Sequence, residues 1–160
     1  QIKPAEPKQQ HKVVTDIVIG NKLGGGYFGD VYKGIWNKTT EVALKTVNDP
    51  NMNEEILREI DILEKLAHPN VVAYLGLFTG PTGQLFLVTE FMNRGSLDKM
   101  ILDNKNNITL LDLLAMAKQA AAGMLYLEGQ GIVHRDLALR NLLVGTRGDK
   151  YERFVVKVAD

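Results

Sequence analysis

The sequence predicts an α+β chain: a β-rich first half that holds one amphipathic helix, followed by the start of a helical half. Three observations carry this. Short runs rich in Val, Ile, Tyr and Thr recur up to Phe91, separated by Gly, Pro and Asn. One stretch among them has helical period. After Gly95 the β texture stops and two helical stretches follow. A chain of 160 residues is one domain or part of a larger one. With 45% hydrophobic and 24% charged residues it is not disordered. Nineteen Lys and Arg balance nineteen Asp and Glu, so no global field recruits nucleic acid or a membrane surface, and a charged substrate has to be held locally. The absence of cysteine excludes disulfides and thiolate metal sites. The longest apolar stretch, Leu110 to Leu127, is interrupted by Asp112, Lys118 and Gln119, so no membrane span is expected. A soluble, intracellular chain is the expectation.

Residues Gln1 to Lys12 carry little to bury and read as a linker or flexible segment, and a start at Gln suggests excision from something longer. Val13 to Leu23, Val31 to Trp36 and Glu41 to Val47 are expected as successive antiparallel strands. Val71 to Phe78 and Gln84 to Phe91 form a further pair around the turn Gly80-Pro81-Thr82-Gly83. That makes five strands. Between the third and fourth, Asn53 to Ala67 reads as a helix with Ile56, Ile60, Leu63 and Ala67 on one face and Arg58, Asp61 and Lys65 opposite. Glu59 falls between Leu66 and Leu63 within the apolar arc. Either a cation offsets its desolvation there, or it sits at the edge of the arc and reaches water. Ser96 to Leu102 reads as a short helix. Thr109 to Glu128 reads as a long one, opened by a Thr-x-x-Asp cap and closed near Gly129 and Gly131. Its small residues, Ala115 to Gly123, imply close packing. Two short apolar runs, Leu142 to Val144 and Phe154 to Val158, flank a polar loop.

Four clusters carry chemistry. Gly24 to Gly29 contains G-x-G-x-x-G, which alone fits a dinucleotide-binding turn, a plain flexible loop or a phosphate-covering hairpin. The dinucleotide reading requires a helix directly after the glycines, whereas Asp30 to Gly34 reads as a strand. Glycines between two strands let backbone N–H groups approach phosphates. In Val42-Ala43-Leu44-Lys45, alternation puts Ala43 and Lys45 on one strand face. A lysine there can simply snorkel outward. With Glu59 fourteen residues on, each charge accounts for the other, and an ion pair would aim the ammonium at phosphates under the glycine loop. His134 to Asn141 is a charged loop held at both ends by apolar runs. Within it Asp136 is the right type to accept a hydroxyl proton and Asn141 to ligate Mg²⁺. Asp160, at the end of the last apolar run, is a reasonable hard-cation ligand.

Taken together, the glycine loop from Leu23 to Val31, Val42 to Lys45, Glu59 and His134 to Asn141 resemble the protein kinase family, across Asp16 to Asp160. His68-Pro69-Asn70-Val71-Val72 and Leu87 to Met92 also fit its pattern. The resemblance implies a protein-kinase-like fold with a five-stranded antiparallel small lobe and one αC-type helix at residues 13–92, then the first helices and catalytic loop of the large lobe at residues 93–160. Its implied cofactors are ATP and Mg²⁺. By similarity, Gly24, Gly26 and Gly29 cover the ATP phosphates and Lys45, paired with Glu59, contacts them. Leu23, Val31, Ala43 and Leu143 sandwich adenine, the backbone of Glu90 and Met92 binds its edge, and Thr89 is the gatekeeper. Asp136 takes the substrate proton, Asn141 and Asp160 hold Mg²⁺, and Leu63, Leu75 and His134 match inter-lobe stacking positions.

Ala138 stands two residues after Asp136, where serine/threonine kinases usually have a lysine, and Arg140 comes two positions later. That arrangement is similar to tyrosine kinases, so tyrosine is the favoured acceptor, although some tyrosine-kinase-like enzymes share it and modify Ser or Thr. A pseudokinase scaffold and a dinucleotide oxidoreductase are the alternatives. Two departures stand out. The loop Gly145 to Arg153 is about six residues longer than usual and carries no visible chemistry. The chain also stops at Asp160, the aspartate of Asp-Phe-Gly, which implies a truncated domain with apolar surface exposed. Implied partners are ATP, a protein or peptide substrate and further domains of the parent, without nucleic acid or a direct membrane segment. The implied location is the cytoplasm, or the cytosolic portion of a receptor.

Overall fold

A computed structural model describes residues 11–26, 29–48, 54–103, 107–147 and 152–159. The chain divides into two units, Gln1–Lys65 with Tyr74–Thr89, and Leu66–Ala73 with Glu90–Asp160. The segment around His68-Pro69-Asn70 goes with the second unit.

The first unit is built on a five-stranded sheet of β1 (Ile17–Gly26), β2 (Gly29–Trp36), β3 (Thr40–Thr46), β4 (Tyr74–Thr79) and β5 (Leu85–Glu90), in the order β1-β2-β3-β5-β4. β1 and β2 pair antiparallel, as do β2 with β3 and β4 with β5. Two turns close these hairpins. Asn37 and Lys38 both take positive φ between β2 and β3, and the Gly83 amide donates to the Gly80 carbonyl at 3.0 Å between β4 and β5. Alternation buries Val42 and Leu44 completely on one face of β3, where they join Val14, Phe78, Phe86 and Val88. Val71 to Ala73 lies outside β4. Val71 instead bridges Val158 in the second unit, because its neighbours supply ladder partners there.

Helix α1 (Glu54–Lys65) forms where its period predicts, and Ile56, Ile60 and Leu63 lie inward as expected, but the inward arc is wider than the apolar residues alone. Ile60 is fully buried, Leu57, Asp61 and Glu64 are half-buried beside it, and Glu59 is exposed. Glu59 thus lies on the water side of the arc. Asp61, expected on the solvated face, lies partly inside, because residues 11–12 cover that flank: the Lys12 amide donates to Glu64 Oε1 at 3.1 Å. Lys12 is also tied to the sheet through its carbonyl, which accepts from the Leu77 amide at 2.9 Å.

The second unit contains a small sheet, β6 (Gly95–Ser96), β7 (Leu142–Thr146) and β8 (Phe154–Val158), with α2 (Leu97–Asp103) and α3 (Leu110–Gly129). Val71, Leu97, Met100, Met116, Leu127, Leu142, Val144, Val156 and Val158 form its core. The predicted capping box is present: the Thr109 hydroxyl accepts from the Asp112 amide at 3.1 Å, and the Asp112 carboxylate accepts from the Thr109 amide at 2.9 Å. Length and composition alone would let α3 cross a membrane, despite the polar residues that interrupt it. Here Met116, Gln119, Gly123 and Leu127 are buried within the unit, while Leu110, Leu111, Leu114 and Leu125 are exposed. Gly123 permits the closest approach, since a Cβ would fall 2.4 Å from the Asn70 carbonyl oxygen.

Gln119 is the buried polar residue of this unit among the described residues, and both its amide oxygen and its amide nitrogen are hydrogen-bonded. Its oxygen accepts from the Val156 amide at 2.8 Å and from Asn70 Nδ2 at 3.2 Å, and its nitrogen donates to the Phe154 carbonyl at 3.0 Å. Asn70 also donates to the Val156 carbonyl at 2.9 Å. The residue that interrupts the apolar run of α3 is therefore the peg that fastens β8 and the His68-Pro69-Asn70 segment to it.

Candidate active site

In the first unit the glycine segment is a hairpin. Gly24 lies opposite Val31, Gly25 opposite Asp30 and Gly26 opposite Gly29, with Tyr27 and Phe28 outside the described residues. The strand β2 begins at Gly29, as the residues after the glycines led one to expect, so the helix that a dinucleotide-binding turn requires is absent there. Asp30 is tied to the next strand, its amide donating to the Thr46 hydroxyl at 3.0 Å. Val31 stands directly opposite Lys45 in the β2–β3 register. Ala43 and Lys45 are half-buried on the face opposite Val42 and Leu44, Leu23 is exposed, and Thr89 is half-buried on β5 opposite Tyr74. Among the described residues no ion pair joins Lys45 to Glu59, and the exposure of Glu59 removes the desolvation argument for one.

In the second unit the loop His134 to Asn141 is shaped by its own polar groups. His134 Nε2 lies 2.7 Å from the Ala159 carbonyl oxygen, and its Nδ1 accepts from the Asp136 amide at 3.2 Å. That pairing puts the ring proton on Nε2. Arg135, between them, takes a φ of 70°, a left-handed conformation that costs a non-glycine residue energy and is held by the bonds on either side. The Asp136 carboxylate accepts from Arg140 at 2.5 Å and from Asn141 Nδ2 at 3.0 Å. Asn141 Nδ2 also donates to the Asp136 backbone carbonyl at 2.9 Å, and the Asn141 carbonyl accepts from the Ala159 amide at 2.9 Å. A short 3-10 turn, Leu139–Asn141, brings Arg140 and Asn141 back onto Asp136. The Arg140 guanidinium, helped by Asn141, holds the Asp136 carboxyl below the usual carboxylate range, so it is ionised at neutral pH.

Glu90 ends β5, and Met92 lies two residues beyond it. The Glu90 carboxylate accepts two bonds from Lys157 Nζ, at 2.8 and 3.0 Å, and one from the Ala73 amide at 2.9 Å. The Glu90 amide donates to the Ala73 carbonyl at 3.0 Å. The segment carrying Glu90 is thereby fastened to β8 and to Ala73, and Met92 is buried beside it. Leu143 is half-buried on β7, and Asp160 lies outside the described residues. A groove of about 510 Å³ in the second unit is lined by Asn70, Lys118, Gln119, Arg147, Glu152 and Lys157, and by none of the predicted site residues.

A family model for protein tyrosine and serine/threonine kinases matches residues 17–160. The chain belongs to that family. It is 42% identical over 149 residues to the tyrosine-protein kinase transforming protein Abl of Abelson murine leukemia virus, and 44% identical over 149 residues to the tyrosine-protein kinase ABL2 of Homo sapiens. It is 40% identical over 148 residues to the tyrosine-protein kinase FRK of Homo sapiens. Each alignment covers 91% of this chain, but only 19%, 12% and 28% of those proteins. The chain thus spans less than a third of the length of these relatives.

Sequence reasoning missed the residues that fasten the Glu90 segment and the β7–β8 connection. Lys157, which fastens Glu90, was visible as a lone cation in an apolar strand. Arg153 pairs with the Asp112 carboxylate and donates to the Asn107 carbonyl at 2.6 Å, anchoring the end of the long β7–β8 connection to the start of α3. Its guanidinium also lies 5.1 Å from the centre of the Phe154 ring. No local pattern marks a partner forty-one positions away.

Proposed function

We propose that this chain is the nucleotide-binding and catalytic-loop part of a protein-tyrosine kinase, which moves the γ-phosphoryl group of ATP to a tyrosine hydroxyl. The observation that carries the reading is the second unit's loop: an ionised Asp136, gripped by Arg140 and Asn141, with Ala138 rather than a lysine two residues after it. The phenolic oxygen forms the new bond to the γ-phosphorus, and the phosphorus–oxygen bond to the departing ADP breaks with its electron pair on ADP. Asp136 orients the phenol and takes its proton. A base held below the usual carboxylate range suits a reaction in which bond breaking to the leaving group runs ahead of proton transfer.

The first unit contributes Gly24, Gly26 and Gly29, whose backbone covers phosphates, and Lys45, which neutralises them. Leu23, Val31, Ala43 and Leu143 would contact adenine, and Glu90 and Met92 would bind its edge through backbone groups, with Thr89 as gatekeeper. Mg²⁺ neutralises phosphate charge when bound. Asn141 suits it, because the amide nitrogen is committed to Asp136 and leaves the oxygen as a hard donor. Asp160 is the second proposed ligand. We assign Glu59 to Lys45 as a pair made when α1 turns that side chain inward. A nucleoside triphosphate substrate fits an intracellular setting, and the acceptor is a protein or peptide.

Steady-state phosphotransfer by the intact protein tests this. Lys45→Met and Asp136→Asn are each expected to reduce turnover by at least about a hundredfold, from lost phosphate positioning and a lost base. Turnover like that of the parent in either variant would remove the assigned roles. Mg·ATP binding without any transfer by the parent would point to a scaffold instead.

A further inference from the structure

The first unit also gathers a set of side chains for which the proposed phosphoryl transfer has no use. Asp61 and Glu64 are one turn apart on α1 and lean to the same side. The segment before β1 lies against them. Its course is fixed by two backbone bonds with β4, the Leu77 amide to the Lys12 carbonyl at 2.9 Å and the Val14 amide to the Leu77 carbonyl at 2.8 Å. Gly76 makes room for this approach: its φ is 146°, and a Cβ there would lie 2.8 Å from the Lys12 carbonyl oxygen. His11 is thereby placed between the two acids.

The spacing within the set is informative. His11 Nδ1 lies 3.6 Å from Asp61 Oδ1 and 3.5 Å from Glu64 Oε1, and the three donor atoms lie within 4.8 Å of one another. These separations are too long for good hydrogen bonds, which fall at roughly 2.7–3.2 Å. They are close to the edge of a tetrahedron around a Zn²⁺ ion, about 3.3–3.4 Å for bonds of about 2.0–2.1 Å. His11 and Glu64 side chains are only 18% and 19% exposed and Asp61 34%. His11 Nδ1 and Asp61 Oδ1 are closed to solvent without a hydrogen-bond partner among the described residues, as is the Tyr74 hydroxyl on β4. Burial, with the Glu64 charge adding to it, pushes the Tyr74 phenol well above its usual range, so that group is a neutral neighbour within the field of Glu64. Polar atoms closed to solvent without a hydrogen-bond partner are costly to bury. A divalent cation removes that cost.

We propose that His11, Asp61 and Glu64 form a binding site for a divalent transition metal of the Zn²⁺ type, which clips the segment before β1 to helix α1. One imidazole and two carboxylates are a borderline donor set that suits Zn²⁺ and Co²⁺. Mg²⁺ and Ca²⁺ demand six or more oxygens and are poorly served by three protein donors, one of them nitrogen. Water completes the coordination. The site is independent of nucleotide binding and of the phosphoryl-transfer reading.

The test is a calorimetric titration of chelator-treated protein with ZnCl2 in the absence of nucleotide. Visible absorption of the Co²⁺-loaded protein and thermal unfolding with and without Zn²⁺ accompany it. One Zn²⁺ per chain, tetrahedral Co²⁺ bands and a Zn²⁺-dependent rise in Tm are expected. His11→Ala and Glu64→Gln should each weaken binding by at least about tenfold and abolish the Tm rise. Glu64→Gln preserves side-chain shape and guards against a merely unfolded variant. No saturable binding by about 1 mM Zn²⁺ would overturn the proposal. So would binding that survives both substitutions. Stability that follows imidazole protonation but ignores Zn²⁺ would mean that a proton joins the ring to the acids, and would overturn it too.

Discussion

Asp136 and its two partners show how few atoms define the proposed chemistry. Its carboxylate meets a guanidinium four residues away and an amide five residues away, and the carboxylate is ionised because the charged form gains both bonds. The sign of the resulting pH effect is fixed. A depressed folded value means that Asp136 stays ionised below the pH at which a free carboxylate takes up its proton, at about 3.9. Arg140→Ala should move the Asp136 titration upward toward that ordinary value, which a carboxylate NMR titration of the folded protein measures. An unmoved titration would mean that Arg140 does not set the charge state of Asp136. The identities of Asp136, Arg140 and Asn141 were legible because their types and spacing are informative in themselves. The strained φ of Arg135 and the role of His134 in holding the Asp136 amide were not, because both depend on where residue 159 passes.

Among the elements, α3 is held by groups that look incidental in its sequence. Its first turn depends on Thr109 and Asp112, and Asp112 also receives Arg153. The Arg153 guanidinium and the Thr109 amide hold the Asp112 carboxyl at about 2. The stability it contributes is therefore complete above about pH 4, where the unfolded group is ionised, and is lost as the pH falls through about 2. Asp112→Asn should cost about 1 kcal/mol at neutral pH, a difference that shrinks in denaturant melts taken from pH 5 down to pH 2. Further along, Gly123→Ala drives a methyl group into the Asn70 carbonyl and should cost about 1–3 kcal/mol. Gln119→Leu strands the Val156 amide and the Phe154 carbonyl and should cost about 1–3 kcal/mol for each buried group left unsatisfied. Both are read by chemical denaturation. The capping box could be read in advance because it is local. The partial burial of Asp61 and Glu64 on α1 could not, because periodicity locates an apolar arc without showing what covers its flank. Here the covering segment carries His11, which has nothing apolar to announce it.

At the scale of the whole chain, each unit brings its own share of the proposed reaction, the first a glycine hairpin with Lys45 and the second a base, a guanidinium and a metal-ligating amide. Five strands, the helix between the third and fourth, and the two later helices were all legible from period and turn residues. Residues Leu66–Ala73 go with the second unit, where Asn70 and Val72 find hydrogen-bond partners on α3 and β8, contacts of 49 to 88 positions in sequence that no local pattern encodes. The choice of acceptor rests on Ala138 and Arg140 within this larger frame. The most direct measurement is phosphoamino-acid analysis of mixed Tyr, Ser and Thr peptides after incubation of the intact protein with Mg·ATP, beside an Asp136→Asn control. Phosphotyrosine that vanishes in the control is the predicted result. Phosphoserine or phosphothreonine in its place, or label that persists without Asp136, would contradict the account.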